Sequence, residues 1–310
     1  MRDAFQKQVC AARIVFTIPF AAFLFIVTAP NASAGPIFGP DLSAFAILGG
    51  AGVTVAGTGS LITGSVGGCC YSNSVTGYSD KFTISPGSGT VYLLADPATS
   101  AAQTELGTAM TALLGMASSA ISKSSLNDIT LGPGVYSVSA TNFNGILTLD
   151  GGGNANALWV FLLASSLTTA SSSKVVVENT GAGAGVYWVM PYSATLGENS
   201  TFEGNILANA AITVNTTATD SCGRLLTQVE SVTLDGTNTI GFGGCSGSLA
   251  ESNGLSGGGT LATVGGGPVI IPLAPAYVPE PSTFFCLAPC LAGLAIQQLR
   301  LRSKPPKSRA

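Results

Sequence analysis

Histidine is absent from the 310 residues of this chain, and only 9 % of them are charged. Without histidine, a Ser-His-Asp triad, a Cys-His pair, a His-ligated zinc site and a haem held by histidine are all excluded. Tryptophan occurs only twice and tyrosine seven times, which disfavours a surface on which sugars stack. An enzyme that uses only carboxylates for catalysis remains possible.

Basic residues are scarce between the two ends of the chain. Only four lie there, against 13 acidic residues, so the body of the protein carries a net charge of −9. Such a body repels nucleic acid and anionic membrane surfaces. We therefore predict no nucleic-acid partner, and we interpret the basic residues at both ends as parts of targeting signals.

The N-terminus has the pattern of a secretory signal peptide. Three basic residues, Arg2, Lys7 and Arg13, precede an apolar run, Ile14–Ala29, and a stretch of small residues ends at Ala34. This pattern predicts a signal over residues 1–34 that signal peptidase cleaves after Ala34. A transmembrane anchor is the alternative, but the run is shorter than the ~20 residues that a spanning helix needs.

The C-terminal residues 278–310 combine three features in a fixed order. A Pro-Glu-Pro tripeptide (Pro279, Glu280, Pro281) is followed by an apolar run from Phe284 to Leu299 and then by a basic tail. An apolar segment followed by positive charge is typical of a stop-transfer segment. The whole resembles the PEP-CTERM sorting signal of Gram-negative bacteria, which implies an exosortase, transient membrane contact and release to the cell envelope or extracellular matrix. A plain C-terminal anchor is the alternative.

The body contains a recurring triplet in which Thr lies between two apolar residues. Because side chains alternate across a strand, the apolar residues point inward and the Thr points outward. Further short strands and turns rich in Gly, Asn and Asp separate the triplets, which indicates three strands per coil and a three-faced β-solenoid over residues 35–245. Residues 246–277 are predicted to be a Gly/Pro-rich linker. The triplets are VTV, FTI, ITL, LTL, LTT, ATL, ITV and VTL.

One stretch, residues 97–122, is predicted to be helical instead. Asp96 is a candidate N-cap and Pro97 suits the first helical position. Apolar side chains recur at helical spacing from Leu106 to Ile121. We expect this helix to pack along the most apolar solenoid face, near Trp159, Phe161, Tyr187 and Val189.

The cysteines of the body fit an exported protein, since disulfides persist in oxidising compartments. Four cysteines allow three pairings. We favour Cys222 with Cys245, which would bracket a single coil, while Cys69 and Cys70 could be free or bound to another chain. No metal site is predicted, because neither pair has Cys-x-x-Cys spacing.

The motifs LGPGVYSVSA, LTLDGGGNANALWVFLLASSLTTAS, YSATLGENSTFEGNILANAAITVN and GRLLTQVESVTLDGTNTI resemble the microbial ice-binding proteins of the DUF3494 type. The resemblance implies an all-β fold with one helix, an irregular right-handed β-solenoid with the helix packed alongside. It also implies a non-enzymatic protein without a cofactor, whose partner is ice or ordered water.

A column of Thr on neighbouring coils is a candidate ice-binding surface on physical grounds. Adjacent strands lie about 4.7–4.9 Å apart, so one Thr per coil forms a ladder of regular spacing. A rigid ladder loses little conformational entropy on binding. The sequence predicts two competing surfaces. The first is the column Thr148, Thr168, Thr195, Thr213 and Thr233, and the second is the strip Ser172, Thr201, Thr219 and Thr237.

Two other functions remain open at this point. Asp150 and Asp235 follow similar strands, and a carboxylate pair can serve as acid and base in glycoside hydrolysis. Both are equally explained as turn residues before Gly, so we predict no catalytic residue. The stronger alternative is a non-catalytic matrix or adhesion protein that binds polysaccharide. For either function we expect an exported protein of the envelope or matrix of a Gram-negative bacterium.

Overall fold

The computed structural model describes residues 34–69, 75–78, 80–93 and 96–277. The predicted signal peptide up to residue 33, Cys70 and the predicted sorting signal from residue 278 onward lie outside the described residues. Within the described residues, no helix is long and apolar enough to cross a membrane.

The fold is a three-faced β-solenoid, as predicted, in which parallel strands from successive coils stack into continuous sheets. The first face is a sheet of seven strands. In spatial order they are Asn142–Phe143, Leu167–Thr169, Ala194–Leu196, Ile212–Val214, Ser231–Leu234, Gly52–Val55 and Val75–Thr76.

The second and third faces belong to one sheet of 15 strands, because two long strands turn the corner between them. These are Thr201–Ala208 and Thr219–Thr227. The second face adds Ile129–Leu131, Ile146–Asp150, Lys174–Glu178, Thr239–Gly241, Ser60–Thr63 and Phe82–Ile84. The third adds Ile121–Lys123, Gly134–Val138, Leu158–Leu163, Gly185–Met190, Phe45–Gly49, Ser65–Gly68 and Val91–Tyr92.

The order of coils in space differs from their order in the sequence. The coils from residues 45 to 92 stack beyond the last C-terminal coil, so Ser231–Leu234 pairs with Gly52–Val55. On the third face, Phe45–Gly49 pairs with Thr219–Thr227. Phe45–Gly49 thus supplies the third-face strand of the coil that begins at Ser231. The N-terminal and C-terminal coils together form one solenoid.

The interior is filled by apolar side chains from all three faces, including a row of aromatic rings. Phe161 and Trp188 stack with ring centroids 3.9 Å apart, and Tyr136 and Phe202 extend the row on either side. Such aromatic pairs add to the free energy gained from burial. They hold successive coils in register.

In the described part of the chain, two α-helices accompany the solenoid, α1 over Pro40–Ser43 and α2 over Pro97–Leu114. The Asp96 side chain caps α2 by accepting a hydrogen bond from the Ala98 N–H at 2.8 Å. The prediction of a helix to residue 122 is wrong at its end. A 3₁₀ turn, Gly115–Ser119, follows α2, and Ile121 begins a strand that pairs with Tyr136.

Helix α2 packs on the third face, as predicted, but only some of the expected residues contact it. Tyr187 and Val189 belong to the cluster that buries the helix, together with Leu106 and Leu113. Trp159 and Phe161 lie in the interior cluster instead. Their strand is buried on both sides, so alternate residues face the helix and the solenoid interior.

The prediction of a linker over residues 246–277 is wrong, and the folded body extends beyond residue 245. Gly259–Val264 and Gly267–Pro272 form an antiparallel hairpin, and Gly35–Pro36 pairs with its first strand. Leu255 is fully buried in the interior cluster. The high Gly content of this region reflects tight turns with positive φ, such as Gly265 and Gly266.

The predicted disulfide between Cys222 and Cys245 is confirmed, with an S–S distance of 2.05 Å. Cys69 is also disulfide-bonded. No group of three or more His, Cys, Asp or Glu in the described part of the chain could hold a metal ion.

Removing the Cys222–Cys245 bridge is expected to lower the free energy of unfolding by about 3 kcal/mol, because the bridge closes a loop of 23 residues and restricts the unfolded chain. Thermal unfolding of the Cys222→Ala, Cys245→Ala double variant should show a melting temperature lower by roughly 6–12 °C. Because both cysteines of the bridge are replaced, neither position keeps an unpaired thiol. An unchanged melting temperature would contradict a stabilising role for the bridge.

Candidate functional site

The first face carries one polar residue per strand in an unbroken row. Its central members are Thr168, Thr195, Thr213 and Thr233, which pair directly with one another on consecutive strands. The backbone register runs across all seven strands without a shift. The complete row, which we call the Thr ladder, is Asn142, Thr168, Thr195, Thr213, Thr233, Thr54 and Thr76.

The ladder side chains point away from the protein. Each ladder position on the central strands is partly or fully exposed while both neighbours are buried. The backbone groups of these strands bond to the adjacent strands, and among the described residues the hydroxyls of Thr195, Thr213 and Thr233 have no protein partner. Each Thr rung therefore offers a methyl group and a hydroxyl to solvent, and neighbouring rungs are about 4.8 Å apart.

Residues on either side of the ladder are small or uncharged along most of its length. Ser193, Ala211 and Ser231 precede the rungs by two positions, and Asn215 follows one by two positions. Asp235, which follows Thr233, is the charged residue of this row of neighbours and is exposed. From Leu167–Thr169 to Gly52–Val55, the first face is thus a regular surface of hydroxyl, methyl and amide groups with one carboxylate near an edge.

The sequence-based assignment of Thr148 to this column is wrong. Thr148 lies on the second face, where it pairs with Thr130 and Val176. The position in line with Thr168 belongs to Asn142. A Thr between two apolar residues marks an outward position in any strand, and the triplet alone does not say which face the strand joins.

Thr54 and Thr76 were missed because their coils stack against the C-terminal half of the solenoid. Thr54 pairs with Thr233, from which it is separated by most of the chain. The triplet VTV at Val53–Val55 was a signal for its outward position. No sequence pattern placed its strand beside Val232.

The second predicted strip divides between two places. Thr201 and Thr219 pair with each other on the second face, while Ser172 and Thr237 occupy the corner between the first and second faces with positive φ angles of 63° and 54°. The Thr219 hydroxyl lies 3.5 Å from the Ser200 carbonyl oxygen. The strip is therefore not a single row.

Buried amide groups fix this corner and with it the edge of the first face. The Asn238 side chain donates hydrogen bonds to the carbonyl oxygens of Asn215 and Ala218 at 2.8 and 2.9 Å. Its own oxygen accepts from the Gly236 N–H. Buried polar groups with all partners satisfied make a corner rigid, which holds the neighbouring rungs in place.

The second face is less regular than the first. Its outward row begins with Ile146 and Lys174 and includes Leu61 beyond Thr239. Ile146 and Leu61 are 48 % and 42 % exposed, so large apolar and charged side chains interrupt the Thr residues. The register also shifts between Phe202 and Gly204, and such a bulge bends the strand.

Glu203 lies at this bulge and is largely buried. Burial raises the pKa of its carboxyl to about 7, and the hydrogen bond that it accepts from the Val177 N–H at 2.9 Å opposes the rise. Asp220 and Arg224 are the charged groups nearby, and burial followed by the charge of Glu203 raises the pKa of Asp220. The second face therefore contains a carboxyl that titrates near neutral pH.

Replacing Glu203 with Gln is expected to stabilise the protein at neutral pH but not in acid. The pKa of this carboxyl is higher in the folded state than in the unfolded state. The wild-type protein is therefore most stable below the unfolded pKa and loses stability as pH rises to about 7. The difference in free energy of unfolding between variant and wild type should grow by up to about 3 kcal/mol between pH 4.5 and 7. Denaturant unfolding at a series of pH values measures it.

Glu178→Gln is the matched control, since Glu178 is an exposed carboxyl on the same face. This surface substitution should change the free energy of unfolding by roughly 0.5 kcal/mol or less. A difference for Glu203→Gln that does not change with pH would show that the Glu203 carboxyl has the same pKa in the folded and unfolded states and is not desolvated.

The structure places Asp150 and Asp235 on different faces of the solenoid. Asp150 ends a second-face strand, whereas Asp235 follows a first-face strand. Hydrogen bonds from the Gly152 N–H and the Asn179 side chain lower the pKa of Asp150. The Asp150 carboxylate therefore stabilises a local turn.

Sequence comparison shows that this chain is similar to ice-binding proteins. The Ice-binding-like family profile matches residues 47–240. An ice-binding protein of Nostoc sp. (strain HG1) is 40 % identical over 200 residues, which cover 64 % of this chain and 71 % of the relative. Ice-binding protein 1 of Shewanella frigidimarina is 34 % identical over 113 residues, or 36 % of this chain and 13 % of that protein.

Solved structures of ice-binding proteins are also similar to this chain. The crystal structure of an ice-binding protein from the Antarctic ascomycete Antarctomyces psychrotrophicus superposes with a TM-score of 0.56 at 35 % identity, over 65 % of this chain and 95 % of that one. An ice-binding protein from an Antarctic biological consortium superposes with a TM-score of 0.59 at 29 % identity, over 66 % and 90 %.

Proposed function

The chain belongs to the Ice-binding-like family, and we propose that it binds ice through the Thr ladder of its first face. The observation that supports this choice is the unshifted register of seven strands that presents one Asn or Thr per strand to solvent. No other face of the described solenoid repeats one polar residue over so many strands.

The ladder fits ice by spacing, chemistry and rigidity. Rungs about 4.8 Å apart hold water at regular intervals, hydroxyls bond that water, and methyl groups occupy the gaps between bonded positions. Each contact is weak. Because the solenoid fixes every rung before binding, many weak contacts add up with little loss of conformational entropy. The expected result is arrest of crystal growth or of recrystallisation, without a chemical reaction.

To test this function, ice crystals are observed under a cooled microscope in a solution of the purified full-length protein, kept in detergent. We expect faceted crystals and a gap between melting and growth temperatures. Failure to shape ice or to inhibit recrystallisation at high micromolar concentration would refute ice binding. Polysaccharide binding by the same sample would then favour the matrix-protein alternative.

Removing the single charge beside the ladder is expected to strengthen ice binding. An ion orients water around itself and disturbs a lattice-like layer, whereas the neutral amide introduced by Asp235→Asn would match the side chain of the neighbouring Asn215. A gain of ~0.4 kcal/mol would raise the affinity for ice about twofold. Thermal hysteresis at equal concentration measures the effect, with exposed Glu251→Gln as control. Weaker binding of Asp235→Asn would place the contact surface elsewhere.

We also propose that the protein is exported and processed at both ends. The folded body begins at Gly35, directly after Ala34, which is compatible with signal peptidase cleavage there. The Pro-Glu-Pro tripeptide at residues 279–281 begins two residues after Tyr277, the last described residue, and it is the motif that an exosortase would recognise. Mass spectrometry of exported protein should find Gly35 as the first residue. An intact C-terminal segment on released protein would count against exosortase processing.

A further inference from the structure

The chain leaves the folded body at a defined corner of the solenoid. Residues 273–277, the exit strap, lie against the loop at residues 151–157. Asn156 donates a side-chain hydrogen bond to the Ala274 carbonyl oxygen at 3.0 Å, and the Ala276 N–H donates to the Asn154 side chain at 3.0 Å. The Ala155 N–H donates to the Ala276 carbonyl oxygen. These bonds hold the exit strap against this loop.

This corner is opposite the Thr ladder. The loop joins Ile146–Asp150 of the second face to Leu158–Leu163 of the third face. A coil with three faces has three corners, and the corner between the second and third faces is the one that the first face does not touch. The exit strap therefore lies on the side of the solenoid that faces away from the ladder.

The length of chain beyond the exit strap limits the distance between the folded body and the apolar run of the C-terminal segment. The apolar run that starts at Phe284 is seven residues after Tyr277, a reach of at most about 24 Å. Tyr277 is 73 % exposed and Leu273 is 39 % exposed. Exposed aromatic residues beside an apolar segment are typical of a bilayer interface.

We propose that, while the C-terminal segment is retained, a lipid bilayer holds the protein with the exit strap toward the lipid and the Thr ladder outward. The apolar run and its basic tail supply the attachment. The net negative body discourages contact of the other faces with anionic headgroups. The anchored protein would then join a membrane surface to ice. This orientation rests on the proposed function of the ladder.

Full-length protein reconstituted into phosphatidylcholine vesicles with a fluorescent lipid tests this orientation. Flotation should show that the protein is inserted, and dyed vesicles should collect on a growing single ice crystal. A variant with about 20 Gly and Ser residues inserted after Tyr277 gains a flexible reach of about 25 Å. If the ladder already points outward, this insertion should leave vesicle adsorption unchanged within about twofold, while Thr213→Tyr should reduce it at least tenfold.

Several results would overturn the orientation. Adsorption that appears only with the inserted linker would mean that the ladder faces the bilayer. Equal adsorption by Thr213→Tyr vesicles would mean that another face is presented, and failure to float would mean that the segment is no anchor. Absence of ice shaping by the detergent-solubilised chain would instead refute the proposed function itself, and with it this orientation.

Discussion

Replacing Arg224 with Met is expected to lower the free energy of unfolding by about 3–5 kcal/mol, the usual effect of removing one member of a buried charged network. Arg224 is fully buried. Its guanidinium donates hydrogen bonds to the carbonyl oxygens of Ser43 and Asn253, both at 2.8 Å, and to the Asn205 side chain at 3.1 Å. Arg224 therefore contacts both the segment that precedes the first solenoid strand and the segment that follows the last one.

The electrostatic setting increases the expected loss. Burial lowers the pKa of Arg224 to about 10, with Tyr187 and Asp220 opposing the shift, so the side chain is charged at neutral pH. Asp220 is also fully buried, and neither of its oxygens has a hydrogen-bond partner among the described residues. Without Arg224, this carboxyl loses its stabilising charge and two backbone carbonyl groups lose their donors.

Thermal or denaturant unfolding measures the loss, and Lys174→Met is the matched control because Lys174 is an exposed cation. The control should change the free energy of unfolding by roughly 0.5 kcal/mol or less. Arg224→Lys keeps the charge but not the planar fork, so it should lie between wild type and Arg224→Met. Equal stability of Arg224→Met and wild type would contradict the role of this side chain in holding both segments.

The second large effect is expected on ice binding rather than on stability. Thr213 occupies the middle of the ladder, with Thr195 on one side and Thr233 on the other. A Tyr ring at this position protrudes from a row of small side chains and holds neighbouring rungs away from a crystal plane. The affinity for ice should fall at least tenfold, which corresponds to a loss of ~1.4 kcal/mol or more, and thermal hysteresis at equal concentration should fall with it.

The fold of the Thr213→Tyr variant should be unaffected, because the position is outward and the substitution removes no hydrogen bond within the protein. Circular dichroism and the melting temperature check this. Thr111→Tyr is the control, since Thr111 is exposed on α2 and away from the solenoid faces. Gln103, another helix position, is unsuitable because it is buried and donates to the Thr227 carbonyl oxygen.

The sequence predicted the solenoid because each coil repeats the same local pattern. An apolar-Thr-apolar triplet with turn residues on both sides specifies a short strand with one outward side, wherever the strand lies. The same reasoning located four rungs of the ladder, Thr168, Thr195, Thr213 and Thr233, whose strands follow one another along the chain. The disulfide was predictable because Cys222 and Cys245 bracket one such coil.

The errors arose where tertiary contacts decide the outcome. Thr148 has the same local pattern as the ladder residues, but its strand joins Ile129–Leu131 on the second face. Thr54 belongs to the ladder only because the N-terminal coils stack on the C-terminal coil. Pairing between such distant segments depends on how the whole chain closes, and a local sequence pattern carries no information about it.

Composition misled the prediction for residues 246–277. Gly-rich segments often serve as flexible linkers, but here Gly permits close approach of two backbones. A Cβ at Gly257 would clash with the Gly183 carbonyl oxygen. The segment is therefore packed against the solenoid, and its hairpin covers α2 through Ile270.

The most direct test of the ladder compares Thr→Tyr substitutions on two faces in one assay. Thr213→Tyr changes the first face, Thr219→Tyr changes the second, and Thr111→Tyr changes the helix. Fluorescently labelled proteins are exposed to a growing single ice crystal, and the amount incorporated is measured for each. We predict that Thr213→Tyr loses at least about tenfold while the other two match wild type. Loss of incorporation by Thr219→Tyr with full incorporation of Thr213→Tyr would contradict the assignment and place ice binding on the second face.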